Sequence, residues 1–283
     1  MYAVTGASGQ LGRLVLDALL ENTDAENVVA LVRDPGKLSD LATKGVIVRH
    51  FDYSDEATLG EALTGVDRLL LISSSEVGRR EAQHKAVIAA AKAVNVGFIA
   101  YTSLLHADSS PLGLAGEHRA TEAAIKDSGL AYALLRNGWY LENYTMSANL
   151  EIAHGAVIGS TGTGRVSAAS RADYAEAAAT VLLGQSDGKQ VYELAGDDSF
   201  TLSDYAATLA EVSGKPVIYQ HLGEDDFRGA LQNMGLPAAV ADMVANSSAS
   251  AADGALFDDH RALGKLIGRP TTKLSTAVAA ALT

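Results

Sequence analysis

The run Tyr2-Ala3-Val4-Thr5-Gly6-Ala7-Ser8-Gly9-Gln10-Leu11-Gly12 decides the fold. Its first four residues read as a short apolar strand. Leu11, Leu14, Val15, Ala18 and Leu19 then recur at helical spacing and read as one face of a helix. Between strand and helix lie three glycines at three-residue intervals. Gly6 permits a tight turn, Gly9 lets backbone come close to a pyrophosphate, and Gly12 lets helix and strand pack closely. The helix N-terminus adds unpaired N–H groups and the positive end of a dipole, both suited to phosphate. A glycine triplet alone says little. With a strand before it and a helix after it, dinucleotide binding becomes the reading.

Outward from this run, strands and helices alternate. Val28 to Val32 is an unbroken apolar run, as a strand buried on both faces requires. Val46 to Val48, Leu69 to Ile72, Phe98 to Tyr101 and Tyr132 to Leu135 read as further strands. Leu38 with Leu41, Leu59 to Leu63, Ala82 to Val94 and Ala120 to Ile125 read as the helices between them. The apolar Ala, Val and Ile face of Ala82 to Val94 reads as core. Six such units predict an α/β fold, a doubly wound parallel sheet of the Rossmann kind.

Past Arg136 the rhythm changes. Gly155 to Gly164 is rich in Gly, Ser and Thr. Ala172 to Leu183 and Ser203 to Val212 read as helices, Val191 to Leu194 as a short strand and Val217 to His221 as a candidate strand. From Glu224 onward the chain reads as mostly helical, with loop signals at Ser247 to Ala252 and at Arg269-Pro270. These patterns are too few for a second regular parallel sheet. The expected organisation is a nucleotide-binding Rossmann domain over 1–136, joined by parts of 155–195, and a smaller, mainly helical substrate-side domain over 137–283.

Composition narrows the function. The 283 residues are about two domain lengths, and 48% hydrophobic with 20% charged residues is globular rather than disordered composition. Lys and Arg total 22 against 34 Asp and Glu, a net charge of −12 that repels phosphate backbones, so no nucleic-acid partner is expected. No apolar run reaches membrane-spanning length, and the first residues lack the pattern of a signal peptide. A cytoplasmic protein without a membrane partner is expected. The absence of cysteine removes disulfides, thiol catalysis and thiolate metal sites. The seven histidines show no ligand spacing, so no metal is expected.

Arg33 stands at the end of the second strand. An acidic residue there would take ribose hydroxyls, whereas an arginine takes a 2′-phosphate. Lys37 follows one helical turn on, and Asp34 beside them pulls the other way; the balance favours NADPH over NADH. Ser73-Ser74-Ser75 follows the fourth strand at the carboxyl edge, where ligands of doubly wound sheets collect, although an ordinary polar loop reads the same. No tyrosine is followed four residues later by lysine. Tyr101, Tyr132, Tyr140 and Tyr144 have Leu105, Arg136, Tyr144 and Ala148 at that spacing, so the base that alcohol oxidation or epimerisation needs is missing. His106 and His118 flank a glycine-containing loop after the fifth strand and read as structural histidines, with substrate contact as the alternative. Asp258-Asp259 before His260 reads as a helix start. No catalytic residue is assigned.

These residues add up to a resemblance. The opening glycine motif, Leu71 to Gly78, Ala100 to Asp108, Leu134 to Tyr140, Val191 to Gly196 and Gly254 to Asp259 are similar to the NmrA-like branch of the atypical short-chain dehydrogenase/reductases. The likeness covers nearly the whole chain. It is nearest to the quinone-reducing bacterial members, and triphenylmethane dye reductases share the framework. The resemblance implies an NADPH site made of Gly6, Ala7, Ser8, Gly9, Gln10 and Leu11, of Arg33, of Ser73, Ser74 and Ser75, and of the turn Gly138, Trp139, Tyr140, Leu141, Glu142 and Asn143. In many relatives a lysine stands four residues before the glutamate that is here Glu122, and His118 occupies that place. Alcohol-type chemistry is thereby disfavoured and quinone reduction remains. A quinone is already electrophilic, so the main requirements are reactive geometry over the nicotinamide and a few donors near the developing oxyanion. His106, Tyr140 and Asn143 are the candidate substrate contacts. The expected function is NADPH-dependent hydride transfer to quinones, with a homodimer as a candidate assembly. The alternative is an NADP-binding, redox-sensing regulator of the NmrA type that docks on a protein partner without turnover.

Overall fold

The structure is a computed structural model and describes residues 1–184 and 188–283. In chain order the strands are β1 (Tyr2–Val4), β2 (Val28–Val32), β3 (Ile47–His50), β4 (Arg68–Leu71), β5 (Phe98–Leu104), β6 (Ala131–Asn137), β7 (Ala156–Gly159), β8 (Lys189–Leu194) and β9 (Ile218–His221). The first five helices are α1 (Gln10–Leu20), α2 (Ser39–Ala42), α3 (Glu56–Ala62), α4 (Arg80–Ala93) and α5 (Ala115–Ser128). Then come α6 (Glu142–Thr145), α7 (Ala148–His154), α8 (Arg171–Leu183), α9 (Leu202–Ser213), α10 (Glu224–Asn233), α11 (Ala238–Ala252), α12 (Ala262–Ile267) and α13 (Leu274–Leu282). Among the described residues no helix is long and apolar enough to cross a membrane.

The chain divides into two units by its own contacts. The first comprises Met1–Ala107, Gly116–Asn137 and Arg171–Glu193; the second comprises Asp108–Ala115, Gly138–Ser170 and Leu194–Thr283. The expectation drew a cut at 136, with parts of 155–195 rejoining the first domain. Here Asp108–Ala115 belong to the second unit and the return is confined to Arg171–Glu193.

The first unit is the doubly wound α/β sheet, in the order β3-β2-β1-β4-β5-β6-β8. The pairings from β3 through β6 are parallel, with Val4 opposite Ala30 and Leu70, and Leu104 opposite Asn137. Burial on both faces explains the unbroken apolar runs. Ala3, Val29, Leu31, Leu69, Leu71 and Ile99 pack with Leu59 and Leu63 at α3, Val87 and Ala91 of α4, and Ile125 of α5. By alternation Val28, Ala30, Leu70 and Ala100 point to the other face, toward α1 and α8, and all four are fully buried. At about 25 cal/mol per Å² of apolar area removed from water, these contacts are the principal favourable term of the unit. Arg68 of β4 donates from Nε to the Leu182 carbonyl at 2.7 Å, closing the end of α8, and lies 3.7 Å over the Phe98 ring. The chain reverses its order in the sheet between β1 and β4, and such a switch point opens a crevice at the carboxyl ends of the strands.

The second unit holds a parallel pair, β7 with β9, in the register Ala156 to Ile218 through Gly159 to His221. Strand β7 lies inside the Gly-, Ser- and Thr-rich stretch Gly155–Gly164. Gly155, at φ +69°, ends α7 in the left-handed region, and the four residues after it extend against β9. Its apolar cluster includes Phe227, Leu231, Ala241 and Ala245, joining α10 to α11. The loop signal at Ser247–Ala252 was also misleading, because these residues finish α11. Ser247 Oγ donates to the Met243 carbonyl four residues back at 2.8 Å, and Ser248 Oγ accepts from the Ser160 amide at 2.9 Å. Serines that favour turns elsewhere are thus satisfied inside a helix. Asp258 does not start a helix either. Its Oδ1 accepts from the His260 amide at 2.9 Å, and α12 begins only at Ala262.

Candidate cofactor site

The first helix begins without a cap. Gly9 is its N-cap, no side chain bonds the first-turn amides, and no acidic residue lies in the first turn. Its leading N–H groups therefore face outward with the positive end of the dipole, an arrangement that an anion completes. The glycines make this possible. Gly6 turns the chain at φ +58°. A Cβ on Gly12 would lie 2.9 Å from Ala7 Cα and from the Gly6 carbonyl carbon, so only glycine lets α1 sit this close to the turn. Ala7 is fully buried and its amide donates to the Leu31 carbonyl at 3.2 Å; it secures the loop and does not line the cleft beside it.

That cleft has a volume of about 320 Å³ and lies wholly within the first unit. Gly6, Ser8, Gly9, Gln10, Leu11 and Gly12 form one wall, Arg33, Asp34 and Lys37 the second, and Ile72 to Glu76 the third. The structure thus gathers three of the expected segments, 6–11 apart from Ala7, Arg33 and Ser73–Ser75. Leu31 and Val32 of β2 add to the second wall, and Phe51, Asp52 and Tyr53, after β3, complete the lining. These three were missed, although a polar step after a strand at the carboxyl edge was a signal that could have found them. The Tyr53 hydroxyl donates to the Ile72 carbonyl at 2.7 Å and contacts Thr5 Oγ1, which in turn accepts from the Ile72 amide at 2.9 Å. Burial pushes the Tyr53 phenol well above its ordinary range.

Arg33 is 73% exposed and stands 3.7 Å from Glu76 Oε1, across the mouth of the cleft. Asp34, the ambiguous neighbour, is otherwise engaged: its Oδ1 accepts from the Gly36 amide at 3.0 Å and caps the short turn Pro35–Leu38. The positive charges Arg33 and Lys37 are thereby left as the character of this wall. Ser73 Oγ is buried and makes no hydrogen bond among the described residues. An uncapped helix, two cations and a buried lone hydroxyl around one cleft fit a phosphorylated dinucleotide.

Behind the third wall lies a polar cluster that an apolar reading of α4 did not anticipate. Arg80, Gln83 and His84 are buried on that helix together with Val87, Ile88 and Ala91. His84 Nε2 accepts from the Ser74 amide at 2.9 Å, and its Nδ1 is 2.9 Å from Thr121 Oγ1 of α5. His118, the residue in place of the relatives' lysine, is buried rather than open to a substrate. Its Nε2 lies 3.2 Å from Arg80 Nη1 and its Nδ1 lies 2.8 Å from the Tyr101 hydroxyl. A guanidinium only donates, so Nε2 accepts and Nδ1 carries the proton. Burial, then the nearby Arg80 charge, pulls His118 down to about 3, and burial, Arg80 and His118 do the same to His84. Burial raises Tyr101 to about 12. None of these groups is a base of the kind that alcohol oxidation needs.

His106 lies elsewhere in the first unit, past the carboxyl end of β5, in the left-handed region at φ +53°. Such a backbone costs a residue with a Cβ about 1 kcal/mol. Glu193 of β8 holds it: Oε2 accepts from the His106 amide at 2.8 Å and is 3.7 Å from its Nδ1. The same carboxylate accepts from Arg136 Nη1 at 2.8 Å, and Arg136 reaches Glu122 with Nε at 2.9 Å and Nη2 at 2.6 Å. Ser103 Oγ completes the chain by donating to Glu122 at 2.6 Å. The expected turn Gly138–Asn143 belongs to the second unit. There the Gly138 amide donates to the Leu194 carbonyl at 2.7 Å and the Leu141 amide to the Ala169 carbonyl at 2.9 Å. Leu141 is buried, whereas Trp139, Tyr140, Glu142 and Asn143 are half-buried.

A family model for NAD(P)H binding matches residues 6–184, which span the glycine turn, Arg33, the serines and the polar cluster. The chain belongs to this NAD(P)H-binding family. Quinone oxidoreductase 2 of Escherichia coli is 55% identical over 278 residues, covering 98% of this chain and 97% of that protein. A crystal structure of an NADPH-dependent quinone oxidoreductase from Escherichia coli complexed with NADPH superposes with a TM-score of 0.98 at 54% identity over all of both chains. The Citrobacter triphenylmethane reductase complexed with NADP(H) follows at a TM-score of 0.96 and 36% identity, over 99% of this chain and all of that one. Membership of the NAD(P)H-binding family and the doubly wound fold agree with the NmrA-like resemblance.

Proposed function

We propose that the protein is an NADPH-dependent reductase that transfers hydride to quinones. The observation that carries the reading is the cleft at the switch point, where an uncapped helix N-terminus meets Arg33 and Lys37. The substrate class rests on the 55% identity to a quinone oxidoreductase. That likeness to an enzyme favours turnover over the regulator reading. Gly6, Ser8, Gly9, Gln10 and Leu11 hold the pyrophosphate through backbone amides, and Ala7 secures the turn from the core. Arg33 takes the 2′-phosphate, and the hydroxyls of Ser73, Ser74 and Ser75 take ribose oxygens. Gly138, Trp139, Tyr140, Leu141, Glu142 and Asn143 flank the nicotinamide, Leu141 with its backbone alone.

Bound NADPH supplies the hydride. The chain's own residues orient and polarise, because an electrophilic ring needs alignment more than activation. His106, Tyr140 and Asn143 contact the quinone as hydrogen-bond donors or ring walls, and donors near the developing oxyanion lower the barrier. Glu193 sets the backbone of His106. A cytoplasmic location and a homodimer belong to the same proposal, checked by fractionation and light scattering.

Parallel oxidation of NADPH and NADH, with benzoquinones and naphthoquinones as acceptors, tests the reading. Quinone-dependent oxidation faster with NADPH is expected. Tight NADPH binding without turnover on any acceptor would replace the reductase by the regulator.

A further inference from the structure

We propose that His84 is a positioning residue for the cofactor, acting through the Ser74 amide to hold the Ser73–Ser75 segment. His84 is fully buried and does not line the cleft. Its hydrogen bonds nonetheless run in one determined direction. The Ser74 amide can only donate, so Nε2, at 2.9 Å, must present a lone pair. In the neutral ring Nδ1 then carries the proton and donates to Thr121 Oγ1 at 2.9 Å. The Thr121 hydroxyl passes the chain on to the Glu117 carbonyl at 2.9 Å. The serine segment is thus tied to α5 through one imidazole of fixed tautomer.

The neighbouring amide is tied in the same manner, since Ser73 N donates to Thr102 Oγ1 at 2.8 Å. Two successive amides therefore point into the core and fix, from behind, a segment whose three serines line the cleft. The buried Ser73 Oγ is without a hydrogen-bond partner among the described residues. Ser74 Oγ accepts from the Glu76 amide at 3.2 Å, which links the same segment to the carboxylate facing Arg33. Losing the His84 acceptor frees the Ser74 amide and lets three lining residues drift. A misplaced hydroxyl loses its bond to the ligand even when the fold survives.

This inference rests on NADPH occupying the switch-point cleft, and its test reads binding directly. NADPH affinity is titrated by cofactor fluorescence in the full chain, for wild type, His84→Leu and His84→Gln. Glutamine keeps an acceptor for the Ser74 amide and leucine does not. His84→Leu is expected to weaken NADPH three- to tenfold, the range of one net hydrogen bond. The KM for NADPH should rise more than kcat falls, and His84→Gln should recover most of the loss. A folded His84→Leu with unchanged affinity, or a glutamine variant no better than leucine, overturns the proposal. Should the leucine variant not fold, nitrogen-15 spectra of the wild-type imidazoles decide. A bare Nε2 on His84 whose signal moves on adding NADPH supports the proposal, and a protonated or unmoved Nε2 overturns it. A wild type that binds no NADPH would instead overturn the reductase reading itself.

Discussion

Replacing Arg33 with alanine isolates the energetics of cofactor choice. In the structure the side chain is 73% exposed, and among the described residues its only ion-pair contact is Glu76 Oε1 at 3.7 Å, on a side chain 36% exposed. A pair this open is worth at most about 1 kcal/mol, which is what a 2′-phosphate must displace. Charge-assisted hydrogen bonds to the phosphate return about 1.5–3 kcal/mol. The net contribution of Arg33 to NADPH binding is therefore about 0.5–3 kcal/mol, or about 2- to 140-fold in Kd. NADH has no phosphate to lose and should weaken by less than about threefold on the same scale. Fluorescence titration of both cofactors at low and at high salt measures the split, and the NADPH loss should shrink as salt screens it. Glu76→Gln tests the other half of the pair, and should tighten NADPH by about two- to fivefold with little change for NADH. Equal losses for the two cofactors in Arg33→Ala, or a Glu76→Gln variant that binds NADPH more weakly, would refute the 2′-phosphate assignment.

Gly12→Ala places its new carbon 2.9 Å from backbone at Ala7 and Gly6. It should cost about 1–3 kcal/mol in chemical denaturation and weaken both cofactors alike. Glu193→Gln removes the charge that holds the His106 amide and Arg136; quinone kcat/KM should fall while the NADPH dissociation constant stays put, a pattern that steady-state kinetics and titration separate. Stability should decline as pH drops below about 6.5, where the unfolded histidines take protons that buried His84 and His118, held near 3, refuse. Between pH 7 and pH 5 the linkage amounts to at most about 2 kcal/mol for each residue. Urea unfolding of wild type and His118→Gln at both pH values checks it, and an identical pH dependence in the two would contradict the assignment to His118.

The sheet and the glycine turn were legible in the residues alone. Strands buried on two faces must be continuously apolar, so Val28–Val32 and Leu69–Leu71 announce themselves, and glycine is favoured by the positive φ at Gly6 and required by the close contacts at Gly12. Arg33 was legible for a similar reason: its place at the end of β2 is set by local spacing. Residues that act through partners distant in the chain were decided by the tertiary structure alone. The Glu193 carboxylate serves a backbone amide 87 positions away, and His84 reaches Thr121 across 37 residues, pairings that no periodicity records. Likewise, Ser247–Ala252 resembles a loop until packing and i−4 hydrogen bonding satisfy its hydroxyls. Strand β7, four residues in a Gly-, Ser- and Thr-rich stretch, pairs with β9, some sixty positions on in the chain. Local propensity is a one-dimensional signal, whereas the satisfaction of buried polar groups is a property of the folded interior.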